Sequence, residues 1–434
     1  MNFESFSFHP KIAAGIKSAG YTHPTPVQNQ AIPEIMQGGD VMGLAQTGTG
    51  KTAAFALPIL HRLLQGKKGG VRALIIAPTR ELAEQIHQSI QLLGSKTRLR
   101  SVAVYGGVGI QPQIKSLKTA DIVVACPGRL LDHIKRRTVN LSRTEVLVLD
   151  EADQMFDMGF LPDIRRIISN LPQSKRQSLL FSATMPGQLR HLASDILKQP
   201  VTIQIGHEAP VETVKHAFYP VAQHLKTALL LKLLGNTNTD AVLVFTRTKH
   251  RAEQLGGKLA KAGYRSTSLQ GNLSQAKRRD AMNGFKSGKY QVLVATDIAA
   301  RGIDVCNVSH VINYDMPATP ETYIHRIGRT GRAERKGEAY SLITSEDRRM
   351  VKAIRGNIGM PVEKRVLEDF NYKTPTRDGN HATPLDRNRK AASSQSPRNR
   401  NVRKACRRDA GGVFVKLSPQ KSAGKSAKRA RRSA

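Results

Sequence analysis

The chain has 434 residues, with 68 Lys and Arg against 33 Asp and Glu, a formal net charge of +35. A single compact core rarely grows beyond roughly 250–300 residues, so at least two domains are expected. No stretch approaches the ~18 uncharged apolar residues of a membrane span, which excludes a helical membrane protein.

Hydrophobic residues at 39% and charged residues at 23% are ordinary for a soluble globular protein. The opening Met1-Asn2-Phe3-Glu4-Ser5 lacks a basic region followed by an apolar run. No secretory signal is therefore read, and a cytoplasmic location is expected. Cys126, Cys306 and Cys406 lie far apart, with neither zinc spacing nor a disulfide framework. The positive field attracts polyanions. Without an amphipathic or lipidated anchor, nucleic acid is a better expectation than a membrane.

In chain order, short β-branched runs recur. The first half has Arg72–Ala77, Asp121–Ala125, Val146–Leu149, Ser178–Ser182 and Val201–Ile205. The second has Ala241–Phe245, Gln291–Ala295, His310–Asn313 and Ala339–Ile343. Continuous apolar runs suit strands buried on both faces, as in parallel sheets. Helical-period segments such as Glu81–Leu93 and Arg251–Ala262 separate them. The alternation predicts two parallel α/β domains. Residues 1–206 should form the first, 207–212 a linker and 213–375 the second. From Thr376 onward, 17 Lys and Arg stand against 3 Asp and Glu, a net of +14. Residues 376–434 are too poor in large apolar side chains to offset their ordering entropy, and a disordered tail is expected.

Ala45-Gln46-Thr47-Gly48-Thr49-Gly50-Lys51-Thr52 follows a short apolar run and opens a helical segment. It is nearly the phosphate-binding P-loop, with Ala45 where the first Gly normally sits. Glycines let backbone N–H groups curl around phosphate oxygens, and the helix N-terminus adds positive potential. Lys51 would reach the β- and γ-phosphates, and the Thr52 hydroxyl would bind Mg²⁺. A plain Gly-rich strand–helix turn is the alternative, and the Gly-Lys-Thr ending argues against it.

Asp150-Glu151-Ala152-Asp153 ends the run Val146–Leu149, at the sheet edge where ligands bind in open α/β folds. Asp150 can hold Mg²⁺ through its water shell. Glu151 can orient and deprotonate an attacking water. An acidic cluster favoured only by a helix dipole is the alternative. The P-loop upstream weighs against it.

These residues read D-E-A-D, and the chain resembles the DEAD-box branch of superfamily 2 helicases over roughly Met1 to Tyr372. The other matches come in the family's order. They are Gly20-Tyr21 through Gln28, Pro78-Thr79-Arg80-Glu81-Leu82-Ala83, Gly106-Gly107, Pro127-Gly128-Arg129 and Ser182-Ala183-Thr184. Phe245-Thr246-Arg247, Gln275 with Arg278, Ala295 to Asp304, and His325 to Arg332 follow. The basic tail resembles the bacterial RhlE-type subgroup most. One departure is Cys126, where the family usually has Thr, which puts one RNA-phosphate contact in doubt.

The resemblance implies two tandem RecA-like domains that bind ATP and Mg²⁺ and remodel RNA. Residues 1–29 would form the Q motif. Gln28 can accept from adenine N6 and donate to N7, a bidentate pairing. Phe3 lies 17 residues before Gly20, where the family places an aromatic that stacks on the base. Phe6 and Phe8 are nearby rivals, better read as packing residues, and Tyr21 joins the nucleotide-binding set. Asp304 would accept from the ribose hydroxyls. Arg329 and Arg332 would be arginine fingers on the γ-phosphate. Asp153, Ser182, Thr184, His325 and Arg326 would couple the domains. RNA contacts are implied at Arg80, Gly107, Gly128, Arg129, Arg247, Gln270, Gly271, Arg278, Thr296 and Arg301. The RNA would be single-stranded or a short duplex, with little sequence preference. Ribosomal particles or RNA-decay proteins would be further partners. An ATP-gated RNA clamp and a DNA-directed motor are the competing expectations. A non-enzymatic homologue is disfavoured by Lys51, Glu151, Arg329 and Arg332.

Overall fold

The computed structural model describes residues 2–46, 48–66, 69–174, 176–205, 214–236, 240–300, 308–331, 337–358 and 362–374. The expected linker, the expected tail, Thr47, Arg301, Asp304 and Arg332 lie outside the described residues.

Seven parallel strands build the first half: β1 (Val41–Leu44), β2 (Ala73–Ile76), β3 (Ser101–Val104), β4 (Ile122–Ala125), β5 (Val146–Leu149), β6 (Gln177–Ser182) and β7 (Val201–Gln204). Seven more build the second: β8 (Val214–Pro220), β9 (Val242–Phe245), β10 (Ser266–Leu269), β11 (Val292–Ala295), β12 (His310–Asn313), β13 (Gly337–Ile343) and β14 (Glu363–Lys364). The order is β3-β4-β2-β5-β6-β1-β7 in one sheet and β10-β11-β9-β12-β13-β8-β14 in the other. Shifted by seven, the two orders are the same.

Period-two side chains explain the continuous apolar runs. Ala73 and Ile75 of β2 pack on one face, under the helices Lys51–Gln65 and Arg80–Leu93. Leu74 and Ile76 pack on the other, under Leu161–Ile168 and Gly187–Ile196. Both faces are covered, so every position in the strand is apolar. Full burial of each Leu or Ile side chain contributes about 1.5–3 kcal/mol.

Strand β1 contains Gly43, where a Cβ would stand 2.5 Å from the Phe181 ring. The small residue lets β6 pack its aromatic ring against β1, and Phe181 in turn meets Phe55 at 5.4 Å between centroids. This packing holds the start of the phosphate loop against β6. Among the described residues, no helix is long and apolar enough to cross a membrane.

Candidate functional site

The site grows from the C-terminal ends of three strands. Ala45, just past β1, donates its N–H to the Ser182 carbonyl at 3.0 Å. Asp150, just past β5, donates its N–H to the Ile76 carbonyl at 3.0 Å. The loop, the acidic tetrad and the Ser182–Thr184 segment therefore share one edge.

In the loop, Gly48 and Gly50 have φ of 91° and 92°, a region L side chains avoid. Ala45 is not among the positive-φ residues, so a methyl is tolerated where the motif usually has Gly. Lys51 is buried, and its Nζ donates to the Ala45 carbonyl at 2.8 Å. The Thr49 hydroxyl donates to the Gln46 carbonyl at 2.8 Å. Thr52 occupies the second position of the helix Lys51–Gln65, beside Lys51.

Gln28 is buried and ties two segments together. Its Oε1 accepts from the Thr25 N–H at 2.9 Å, and its Nε2 donates to the Gly50 carbonyl at 3.1 Å. An amide has two lone pairs and two N–H groups, so capacity for a base remains. Phe3 packs against Phe6 at 6.1 Å and Tyr21 at 6.0 Å, and it lines a surface cavity with Tyr21 and Lys17. Phe3, Phe6 and Phe8 are all buried in the same core cluster, and Phe8 meets His61 edge-on.

Burial pushes the Asp150 carboxyl up to about 7, against the pull of Lys51 and with the push of Glu151. Glu151 has φ 51° and ψ 50°, a left-handed conformation in a buried non-glycine residue. Such strain costs on the order of 1–3 kcal/mol and gathers at functional positions. Asp153 is a hub. Its Oδ2 accepts from the Ala183 N–H (3.2 Å), the Thr184 N–H (2.9 Å) and the Thr184 hydroxyl (3.1 Å). Its own N–H donates to the Ser182 hydroxyl at 3.1 Å, which donates onward to the Thr184 carbonyl at 2.7 Å. The acidic tetrad and the Ser182–Thr184 segment are thus tied into one hydrogen-bond network.

In the second half, Arg326 is 2% exposed. It grips Asp297 with Nε at 2.5 Å and Nη2 at 2.8 Å, and Nη1 donates to Asn313 and the Asp315 carbonyl. It also lies over the Phe245 ring at 4.9 Å. All these hydrogen bonds are within its own half. His325, Arg326 and Arg329 line a small cavity with Asp297 and with Gln154, the residue after the acidic tetrad. In that cavity the candidate coupling residues of the second half meet Gln154 of the first.

Three expected strand contacts converge. The Arg80 guanidinium lies so close to Gly107 (φ 82°) that a Cβ there would stand 2.1 Å from it. Arg129 donates to the Val108 carbonyl at 3.1 Å, close to the start of the helix that holds Gly128. Cys126 precedes that helix, with its thiol pushed up to about 12 by burial. Arg247 is exposed, and its N–H is held by Asp315 at 2.9 Å. Gly271 is exposed and Thr296 half-buried. Gln270 and Arg278 already have partners within the protein. Gln270 is 1% exposed and its Oε1 accepts from the Asn272 N–H at 2.6 Å. Arg278 donates to Glu81 at 2.7 Å and to the Gln270 carbonyl at 3.1 Å.

Sequence reading did not single out Gln154, Asp297 or Asp315. Asp297 stood inside a quoted motif, which was the available signal. For Gln154 and Asp315 the signal is their place beside other residues in space, which only the fold supplies.

Comparison with known proteins agrees with this geometry. The family described as DEAD/DEAH box helicase matches residues 25–192, and the helicase conserved C-terminal domain matches residues 225–334. The chain is 43% identical to the Helicobacter pylori DEAD-box ATP-dependent RNA helicase RhpA, over 85% of this chain and 75% of that one. It is 41% identical to the Bacillus subtilis DEAD-box ATP-dependent RNA helicase CshA, over 87% of this chain and 75% of that one. Its fold resembles S. cerevisiae Dbp5 bound to RNA and ADP BeF3, with a TM-score of 0.75 and 31% identity, covering 84% of this chain and 95% of that one. With these matches spanning both sheets, the chain belongs to the DEAD/DEAH box helicase family.

Proposed function

We propose that the chain is an ATP-dependent RNA helicase. It couples ATP binding and hydrolysis to local, non-processive unwinding or remodelling of RNA duplexes and RNA–protein complexes. The observation that carries this reading is the shared cavity where Gln154, next to the acidic tetrad, meets His325 and Arg329 of the other half. A nucleotide bound at Lys51 and Asp150 would lie within reach of both halves.

In this reading Lys51 leaves the Ala45 carbonyl and moves onto the phosphates. Glu151 takes a proton from the attacking water, and Arg329 with Arg332 balances charge developing on the γ-phosphate. Gln28, Phe3, Tyr21 and Asp304 bind the nucleoside. The buried Asp150 suits Mg²⁺, which needs one or two carboxylates beside substrate phosphates. Asp150 and Thr52 would hold the cation, which would draw charge from the phosphates when bound. Asp153 passes the state of the site to Ser182 and Thr184. RNA enters on Arg80, Gly107, Gly128 and Arg129 in one half and Arg247, Gly271, Thr296 and Arg301 in the other. Such contacts to phosphates carry no sequence information. The basic tail supports an RhlE-type subgroup and an RNA tether, and a cytoplasmic setting with ribosomal or RNA-decay partners fits both.

The test is ATPase activity measured together with strand displacement, with single-stranded RNA, single-stranded DNA and no nucleic acid. RNA-specific stimulation with displacement of a short duplex is expected, and Lys51→Ala abolishes both. ATP-dependent RNA retention without displacement would favour a clamp. Equal stimulation by DNA would favour a DNA motor.

A further inference from the structure

Between residues 95 and 140 the chain carries nine Lys and Arg against two Asp, a local excess that the site above uses only at Arg129. The fold gathers the other eight. Lys96, Arg98 and Arg100 precede β3, and all three are exposed. Lys115 and Lys118 close the helix Ile110–Leu117, also exposed. Lys135, Arg136 and Arg137 close the helix Pro127–Lys135, again exposed.

Topology puts these three segments at one end. Strands β3 and β4 are parallel neighbours, so their starts share an edge. Arg100 and Asp121 meet there, the Asp121 N–H donating to the Arg100 carbonyl at 2.9 Å. The two helices run back from the opposite edge. They are locked side by side through His133, whose Nε2 lies 3.2 Å from Gln113 Oε1 and whose Nδ1 lies 2.8 Å from the Thr138 hydroxyl. His133 is 0% exposed, and burial lowers its pKa, so the neutral ring bridges the helices. Their basic C-terminal turns therefore stand beside each other.

The local carboxylates do not neutralise this surface. Asp121 Oδ2 accepts from the Arg100 N–H at 2.9 Å, and Asp132 leans toward Arg129 at 3.8 Å. None of the eight basic side chains forms an ion pair among the described residues. Further along the same sheet edge Arg72 is paired with Glu145 at 2.6 Å, and the Asp40 carboxylate accepts from the Ser178 and Lys198 backbone N–H groups.

We propose that this surface, formed by the starts of β3 and β4 and the ends of these two helices, is a second RNA-binding face. It would hold backbone phosphates of the strand that leaves the groove at Gly107, Gly128 and Arg129. The proposal rests on the RNA reading of that groove. Continuity is what favours RNA over an acidic protein. The helices that begin beside the groove residues end in the basic cluster, and eight or nine residues span roughly 12–14 Å.

The test compares a short single-stranded RNA that fills only the groove with the same strand extended by about ten nucleotides at both ends. Full-length protein is set against the variant Lys115→Glu, Lys118→Glu, Arg136→Glu, Arg137→Glu. The variant should keep wild-type affinity for the short RNA and wild-type ATPase at saturating short RNA. Its affinity for the extended RNA should drop about tenfold or more, and its salt slope on that RNA should fall by about 0.7 for each phosphate it no longer neutralises. The matching Lys→Gln and Arg→Gln set should shift the same way by less. Unchanged affinity for the extended RNA overturns the proposal and leaves an ordinary solvated face. An equal drop on both RNAs also overturns it, as damage to the groove or fold. Displacement of the extended RNA by polyglutamate as readily as by unlabelled RNA overturns the choice of partner. If wild-type protein binds neither RNA, the groove reading itself fails.

Discussion

Arg278 Nε lies 2.7 Å from Glu81 Oε1, joining the second half to the first through a pair whose side chains are 8% and 9% exposed. Removing one member of a buried pair leaves the other charge uncompensated, a cost of about 3–5 kcal/mol in a closed interior. Arg278→Met should therefore lower kcat/KM for RNA-stimulated hydrolysis by at least about tenfold, or ~1.4 kcal/mol. The swap Glu81→Arg with Arg278→Glu should recover part of the activity. No recovery in the swap, measured by steady-state ATPase, would show that the two residues act separately.

Glu151, the proposed base, sits in a left-handed backbone conformation. Glu151→Gln should still bind ATP and RNA but hydrolyse at a small fraction of the wild-type rate. It should also release RNA more slowly in ATP than wild type does. Glu151→Gly should abolish hydrolysis as well, yet raise the unfolding free energy by about 1 kcal/mol, because glycine accepts the left-handed backbone. Denaturant melts and RNA dissociation rates check both. A destabilised Gly variant would mean that the backbone there is not under strain.

Gln28 bridges Thr25 and the Gly50 carbonyl, so truncation loosens the loop as well as the base contact. Gln28→Ala should weaken ATP binding and narrow the preference for ATP over GTP, since a polar site rejects a wrong partner by leaving groups unpaired. Titration with both nucleotides measures it. Weaker binding with an unchanged ATP-to-GTP ratio would restrict Gln28 to holding the loop.

Arg72 tests stability away from the site. Its Nη1 donates to the Leu63 carbonyl at 2.7 Å, and its Nε meets Glu145 at 2.6 Å. Glu145 is 35% exposed, so solvent screens part of the pair. Arg72→Met should cost about 2 kcal/mol of stability and leave kcat at low temperature unchanged. Thermal melts and ATPase on the same sample separate the two.

The 17 basic side chains from Thr376 onward give a further prediction. A chain ending at Thr374 should show lower RNA affinity at low salt and a flatter salt dependence, by several units if a handful of phosphates are engaged at about 0.7 each. The turnover rate at saturating RNA should barely change. An unchanged slope removes the tether.

Much of the fold was readable because buried strands announce themselves. Val146–Leu149 and His310–Asn313 keep their predicted bounds. The strands that escaped share physical reasons. Ser101–Val104 and Ser266–Leu269 take the same outer place in their sheets, half-buried, so small and polar residues suffice. Val214–Pro220 mixes Lys215 and His216 into an apolar run. Val41–Leu44 is interrupted by Gly43, kept small for Phe181. At the site, the loop and the acidic tetrad were legible because phosphate and metal chemistry demand fixed residue types. The commitments of Arg326 to Asp297 and Arg278 to Glu81 were not, since partners far apart in sequence meet only once the strands are ordered.

The twin strand order makes the two halves comparable position by position. Strand β12 is the counterpart of β5, and the carboxylate that follows it is Asp315 rather than Asp150. Asp315 is already matched: Arg251 stands 2.7 Å away, Lys226 3.9 Å, and the Arg247 N–H donates to it at 2.9 Å. Fixed cations sit at Asp315, where the proposed reading has Asp150 of the first half hold a mobile one. The stoichiometry should accordingly be one nucleotide per chain. In the proposed reading, one of two equal scaffolds would carry the fuel and its sibling would supply the wall that shuts on it.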